Sequence, residues 1–269
     1  MARKPTSEII QTSMSTLRIE TRDTIRTLFI DDVESSAIDL SDPTYLEFEY
    51  MQHISVAVTA TYQPPASLRI LHLGGAGCAL ARCFAAQYPQ SRQLAIEIDP
   101  ELALVAREHF DLPSSPELRI RTQDARQTLE TNKGSWHVII RDAFAGGQVP
   151  AHLATSQAYA SAGRLLREDG VYCVNIAGQH GLVPLYREVQ SARETFAHIT
   201  AIADPAIVKK RRMGNIVLLA SHHPIDTANI DRNLRALAMP ARLIPQEQIE
   251  RQAIGHPPFT DEEAGWQTD

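Results

Sequence analysis

From residue 67 onward, short apolar segments alternate with helical patterns, and this alternation constrains the fold more than any other feature of the chain. The apolar segments are typical of strands and cover 68–73, 93–98, 118–122, 137–141, 170–176, 199–203 and 215–221. Strands that alternate with helices form a mostly parallel sheet with helices on both faces. The sequence therefore predicts an α/β fold with a doubly wound, Rossmann-like sheet.

The residues before this region follow a different pattern. Short strands are expected within 17–39, where apolar and polar residues alternate in places. A helix is expected over 43–61, with Asp42 as its cap and Pro43 at its first position. The chain therefore begins with a small module of strands and one helix.

The change of pattern near residue 66 divides the chain into parts. We expect a small N-terminal β-hairpin and helix module over 1–66, a Rossmann-like nucleoside-binding domain over 67–245 and a polar C-terminal tail over 246–269. The tail is polar and contains prolines, so we expect it to be loosely ordered.

Composition excludes several classes of protein. The net charge of −6 argues against a nucleic-acid-binding protein, and no apolar run approaches the roughly 18 residues of a membrane span. The three cysteines form no Cys-x-x-Cys motif and the histidines no ligand pair, so neither a disulfide framework nor a metal site is expected. The start of the chain lacks the apolar stretch of a secretory signal, which favours a cytoplasmic protein without a membrane partner.

The segment between Arg26 and Arg69 contains no lysine or arginine. Its acidic residues are Asp31, Asp32, Glu34, Asp39, Asp42, Glu47 and Glu49. Such a run is commonly a solvated surface, but it also has the charge of a wall that attracts a cationic substrate. Both interpretations stay open. The short basic run over 209–212 is interpreted as a solvated loop.

The first strand of the predicted α/β domain runs into a glycine-rich loop. Gly74, Gly75, Ala76 and Gly77 let the backbone approach a ligand closely at the start of the next helix. Leu80 stands where a dinucleotide-binding loop has its third glycine. The loop is therefore a weak signal, and a plain strand-to-helix turn explains it equally well.

Acidic residues follow the next two strands. Glu97 comes 23 residues after Gly74, where a carboxylate accepts hydrogen bonds from ribose hydroxyls. Asp124 follows the third strand. We expect it to cap the next helix, to accept a hydrogen bond from the exocyclic amine of adenine, or to do both. Glu97 alone suits NAD and S-adenosylmethionine alike, whereas the two acids together favour a single adenosine.

Asp142 ends the very apolar fourth strand, and Asn175 lies near the end of the fifth. Carboxylates in such positions often have shifted pKa values and perform chemistry. The alternative role for Asp142 is a cap for the loop over 143–147. Because that loop has no chemical group to offer, we expect Asp142 to be catalytic.

Four segments together resemble the successive cofactor motifs of spermidine synthases and spermidine synthase-like aminopropyltransferases. They cover 71–77, 95–100, 123–126 and 139–142, with the sequences LHLGGAG, AIEIDP, QDAR and IIRD. The segments 33–36, 48–53 and 150–159 are also similar to parts of that family. The resemblance extends over roughly residues 27–220.

The resemblance implies a small N-terminal β domain before a sheet of the S-adenosylmethionine-dependent methyltransferase type, and a homodimer. It implies a transferase of polyamine biosynthesis that uses decarboxylated S-adenosylmethionine as donor, a small-molecule amine as acceptor, and no metal. By position, it assigns nucleoside binding to Gly74, Gly75, Glu97, Asp124 and Ala125. It makes Asp142 the catalytic carboxylate.

The polyamine end departs from the family pattern. The family has an acid where Gly77 stands, and a second acid three residues after the catalytic one, where this chain has Ala145. Glu34 replaces a glutamine and Glu47 replaces a tyrosine. The tentative substrate residues in the base-free segment are Glu34, Asp42, Glu47, Glu49 and His53.

Three hypotheses about function follow. The first is aminopropyl transfer to an amine through an altered polyamine site, with weak or absent activity on putrescine. The second is S-adenosylmethionine-dependent methylation of a small molecule, because a methyl donor keeps its carboxylate and does not need an acid at Gly77. The third is a non-catalytic nucleoside-binding protein.

Overall fold

The computed structural model describes residues 6–178 and 182–267. Four antiparallel strands form an N-terminal sheet, in chain order. They are β1 Thr6–Gln11, β2 Thr16–Arg22, β3 Ile25–Ile30 and β4 Val33–Asp39. Leu17, Leu28 and Ile38 of this sheet belong to the same buried cluster as Ile70 and Phe84. The N-terminal sheet thus shares a hydrophobic core with the rest of the chain.

The first helix, α1, spans Glu49–Thr61 and begins later than predicted. The Asp42 carboxylate accepts hydrogen bonds from the backbone N–H and the hydroxyl of Thr44, which closes a local turn instead of capping a helix. The predicted helix over 43–61 is therefore wrong over 43–48, where the chain forms turns.

Eight strands form the second sheet. They are β5 Arg69–Leu73, β6 Arg92–Glu97, β7 Leu118–Thr122, β8 Trp136–Arg141, β9 Leu166–Gly178, β10 His198–Ala203, β11 Gly214–Ser221 and β12 Arg242–Ile244. Their order across the sheet is β12-β10-β11-β9-β8-β5-β6-β7. Strands β5 to β9 pair in parallel, and β10 to β12 add an antiparallel end. This confirms the predicted α/β fold.

Helices cover both faces of this sheet. They are α2 Ala79–Gln87, α3 Pro100–His109, α4 Ala125–Thr131, α5 Ser156–Leu165, α6 Val183–Arg193, α7 Pro205–Val208 and α8 Thr227–Arg235. One buried cluster includes α1, α2 and α8, and another includes α5 and α6. Within the described ranges, none of the helices has the length and apolar character that a membrane span requires.

The C-terminal segment is ordered, which corrects the expectation of a loose tail. Helix α9 spans Gln246–Ala253 and buries Ile249 and Ala253 completely, while α10 spans Asp261–Ala264. Asp261 accepts two hydrogen bonds from Arg126, which is almost fully buried. A buried arginine needs acidic partners, so this segment is part of the folded domain.

Candidate active site

Four candidate site residues lie at one edge of the eight-stranded sheet. Gly74 follows β5, Glu97 ends β6, Asp142 follows β8, and Asn175 lies near the end of β9. Because these strands are parallel, their carboxyl ends share an edge. That edge is where open α/β sheets bind their ligands.

The Asp142 carboxylate is held by one hydrogen bond on each oxygen. Tyr50 on α1 donates its hydroxyl to Oδ2 over 2.8 Å, and Asn175 donates its side-chain amide to Oδ1 over 2.8 Å. Burial raises the pKa of Asp142, although these two bonds and the nearby charge of Arg141 act in the opposite direction. An oriented carboxylate with a raised pKa is suited to accept a proton.

A buried ion pair lies directly behind Asp142. Arg141 has no exposed surface and donates two hydrogen bonds to Glu188 on α6, over 2.6 and 2.9 Å. Arg141 also donates to the backbone carbonyl of Asn175, and the Tyr159 hydroxyl donates to Glu188. This two-point pair links β8, β9 and α6, so it fixes the backbone that presents Asp142 and its amide partner.

Gly74 lies where β5 enters the glycine loop, with a φ angle of +87°. A Cβ atom at this position would lie 2.3 Å from the backbone oxygen of Asp142, so only glycine fits. The glycine loop and the catalytic candidate are therefore packed backbone against backbone.

The Glu97 carboxylate is surrounded by backbone donors. Oε2 accepts from the N–H groups of Gly75 and Ala76, over 3.3 and 3.0 Å. Oε1 accepts from the N–H groups of Ile98 and Asp99, over 2.9 and 3.2 Å. A carboxylate has about four acceptor positions, so Glu97 already uses its capacity to hold the glycine loop against β6.

Asp124 caps α4 and also contacts His152, which lies against the C-terminal segment. Oδ1 accepts from the backbone N–H of Gln127, and Oδ2 lies 3.2 Å from Nε2 of His152, whose ring stacks on Trp266. Burial would raise the pKa of Asp124, but the bonds from His152 and Gln127 outweigh it and hold the pKa below its ordinary value. Ala125 follows as the first residue of the helix and is buried.

Gly77 faces the N-terminal sheet at close range. A Cβ atom at Gly77 would lie 2.7 Å from Oγ of Ser36 and 3.1 Å from the Phe110 ring. No acidic side chain fits there unless Ser36 moves. Ala145, the other position without the family's acid, lies in an exposed tight turn closed by Gln148.

Two of the tentative substrate residues lie outside the set that contacts Asp142. Glu34 is exposed on β4, and Glu47 accepts a hydrogen bond from Tyr45 in the turn before α1. Within the described part of the chain, neither carboxylate shares a hydrogen-bond partner with Asp142. Their proposed role in substrate binding stays a prediction.

Asp42 lies in the turn with Thr44, and the last two tentative substrate residues lie on α1, the helix that contacts Asp142 through Tyr50. Glu49 accepts a hydrogen bond from Arg212 over 2.5 Å, and His53 is buried one turn further along. Sequence reasoning missed Tyr50 and assigned Arg212 to a solvated loop. For Tyr50, its position within the family-like segment 48–53 was an available signal. For Arg212, the sequence offered none.

No protein-family model matches the chain. The structure is similar to that of a probable spermidine synthase from Corynebacterium glutamicum, with 34% identity and a TM-score of 0.90 over 99% of this chain and 100% of that one. A polyamine aminopropyltransferase of Vibrio vulnificus is 30% identical over 129 residues, which are 47% of this chain and 43% of that protein. The spermidine synthase of Thermotoga maritima, 18% identical with a TM-score of 0.60 over 96% of this chain and 87% of that one, is similar in fold.

An N-terminal antiparallel sheet followed by a methyltransferase-like α/β sheet defines the class of protein. Within that class, the chain belongs to the spermidine synthase and polyamine aminopropyltransferase family. The chain spans about half the length of the curated relatives that it matches.

The contact between Gly77 and Ser36 predicts that a side chain at position 77 destabilises the fold. We expect Gly77→Ala to lower the free energy of unfolding by about 1–3 kcal/mol, because its Cβ overlaps Ser36. Adding Ser36→Gly removes the overlapping atoms and restores part of that loss. Urea denaturation of both single variants and the double variant measures the coupling, and strictly additive effects would show that the contact is unimportant.

Proposed function

We propose that the protein transfers an aminopropyl or related alkyl group from a sulfonium donor to a small-molecule amine. The observation that carries this proposal is the Asp142 carboxylate, held on both oxygens by Tyr50 and Asn175 at the ligand-binding edge of the sheet. Membership in the aminopropyltransferase family supports decarboxylated S-adenosylmethionine as the donor.

In this proposal the nucleoside of the donor lies across β5, β6 and β7. Gly74 and Gly75 allow its close approach, and Asp124 with Ala125 binds the adenine. The ribose hydroxyls bind Glu97 by replacing its longer backbone bonds, those from Gly75 and Asp99. The carboxylate therefore exchanges partners when the donor binds, and the glycine loop adjusts with it.

Chemically, the amine nitrogen attacks a carbon next to the sulfonium. The new N–C bond forms as the C–S bond breaks, and methylthioadenosine leaves with the electron pair on sulfur. The acceptor amine is normally protonated, with a pKa near ~10, so its proton must be removed before it can attack. Asp142 accepts that proton, and the bonds from Tyr50 and Asn175 keep its oxygens aimed.

Methyl transfer from S-adenosylmethionine is the second candidate function. The contact of Gly77 with Ser36 favours it, because it leaves no room for an acid that would repel the carboxylate of a methyl donor. Asp142 serves as the base in either reaction. Binding of the two donors distinguishes these functions.

The nucleoside assignment predicts that methylthioadenosine binds and that NAD does not. A ligand at 100 times its dissociation constant adds ~2.7 kcal/mol of stability, which raises the melting temperature by roughly 5–10 °C for a chain of this size. Thermal-shift measurements with methylthioadenosine, both sulfonium donors and NAD test this directly. Absence of any shift with the first three would reject the donor assignment.

Glu97→Gln supplies the matching variant for that measurement. It should lower the affinity for methylthioadenosine more than tenfold, whereas Glu108→Gln, at an exposed acid on α3, leaves it unchanged. Glu97 also holds the glycine loop, so the melting temperatures of Glu97→Gln and the wild type are compared without ligand. A lower melting temperature of the variant measures the loss of loop support separately from the loss of ribose binding. Full affinity in Glu97→Gln would make the residue purely structural.

Asp142→Asn is predicted to remove turnover and leave the fold and nucleoside binding intact. Asparagine keeps the size of the side chain and one acceptor oxygen for the Asn175 amide, and its own amide donates to the Tyr50 oxygen; it takes up no proton, so turnover falls at least ~100-fold. The raised pKa of Asp142 means that the folded state loses stability as pH rises through it. Asp142→Asn removes this loss, so it should be at least as stable as the wild type at pH 7. A decrease in turnover of less than tenfold would exclude Asp142 as the base.

A further inference from the structure

Arg212 joins two acidic residues from distant parts of the chain. Its Nη2 lies 2.5 Å from Oε2 of Glu49 on α1 and 2.7 Å from Oδ2 of Asp204, the cap of α7. Its Nε also donates to Asp204, over 3.1 Å. All three side chains are only partly buried, with 38%, 33% and 20% of the side-chain surface exposed for Arg212, Glu49 and Asp204. A ligand can therefore reach them from solvent.

This acidic pair lies at the same edge of the sheet as Asp142. Strands β9 and β10 both pair antiparallel with β11, so they run in the same direction and their carboxyl ends share an edge. Asp204 follows β10, and Asp142 follows β8, three strands away. Three strand spacings place their backbones roughly 14 Å apart. Glu49 directly precedes Tyr50, whose hydroxyl donates to Asp142, so the same turn of α1 contacts both the acidic pair and the catalytic candidate.

His53 adds a second observation at the acidic pair. It lies one turn after Glu49 on the same face of α1, with 2% of its surface exposed. Its Nδ1 is buried and has no hydrogen-bond partner within the described residues. Burial lowers the pKa of His53 to about 4, although the charges of Glu49 and Asp204 oppose that shift. The ring is therefore neutral at pH 7 and leaves an unpartnered ring nitrogen beside the acidic pair without adding positive charge.

The charge balance favours a cation over an anion as the ligand of this cluster. Glu49 and Asp204 carry two negative charges against the single charge of Arg212, and Asp142 adds a third negative charge at the same edge. This excess of negative charge would repel an anionic group and attract an ammonium group. A ligand with an amine at each end would pair one ammonium group with Asp142 and the other with the acidic pair.

We infer that Glu49 and Asp204 form a subsite for the second ammonium group of a diamine, and that the protein's own Arg212 side chain occupies this subsite. The inference rests on the proposed function for the role of Asp142. An incoming diamine must displace Arg212. Because Arg212 is part of the same chain, its effective concentration at the acidic pair is high, and it competes strongly with the diamine. Arg212 is therefore a specificity-determining residue that weakens the binding of simple diamines. The exposed segment over 209–213 carries it and provides space for it to leave.

The test is calorimetric titration of putrescine into the full chain, with and without methylthioadenosine. We expect weak binding to the wild type and a dissociation constant at least tenfold lower for Arg212→Gln. Arg211→Gln, which neutralises a neighbouring charge, should behave as the wild type. The double variant Arg212→Gln/Glu49→Gln should lose the gain. Arg212→Met removes the same charge and has a long unbranched side chain, so it replaces Arg212→Gln in the titration if the glutamine variant is unstable.

The ligand 1,4-butanediol is the matched control, because it has the same chain length and no ammonium group. Its affinity should be the same for the wild type and Arg212→Gln. Unchanged or weaker putrescine binding in Arg212→Gln, or an equal gain for 1,4-butanediol, would overturn the inference. A failure of methylthioadenosine to bind would reject the proposed function, while the putrescine comparison would still decide the role of Arg212, since Glu49 and Asp204 form the subsite without the nucleoside.

Discussion

The hydrogen bond from Tyr50 to Asp142 connects the N-terminal part of the chain to the α/β domain at the point where the chemistry is proposed to occur. Tyr50 belongs to α1, which packs with the N-terminal sheet, and Asp142 follows β8, a central strand of the α/β sheet. Burial raises the pKa of Tyr50 well above its ordinary value, and the negative charge of Asp142 adds to this effect. The phenol therefore stays a donor over the whole physiological pH range. The orientation of the carboxylate depends on how the N-terminal part docks on the domain.

Much of the α/β domain was predictable, because its signals are local. The strand over 118–122 has the bounds that the apolar pattern indicates, and α4 begins directly after its predicted cap, Asp124. The start of α1 was not predictable by the same rule, since Asp42 forms a turn with Thr44. The ordered C-terminal segment was missed because its stability comes from a pairing of Arg126 with Asp261, 135 residues apart. Patterns within a short window carry no information about such contacts.

The residues of the candidate site also fall into two groups: those that local sequence signals indicate and those that only the packing of distant segments brings together. Glu97, Asp124 and Asp142 were predicted as site residues because parallel strands end at one edge, so the sequence alone places them at that edge. Tyr50 lies 92 residues from Asp142, and only the packing of α1 brings them together. Two further features, the contact of Gly77 with Ser36 and the pairing of Arg212 with Glu49, also depend on the docked N-terminal part. In the proposed reaction, both alter the charge that an incoming amine meets.

The pH dependence of group transfer in Tyr50→Phe is the most direct test of Asp142 as the base. The Tyr50 bond stabilises the carboxylate, so its removal raises the pKa of Asp142 and leaves the nucleoside site unchanged. The account predicts that the acidic limb of the rate profile moves to higher pH, with little change in the affinity for methylthioadenosine. An acidic limb at the same pH in Tyr50→Phe and in the wild type would contradict it.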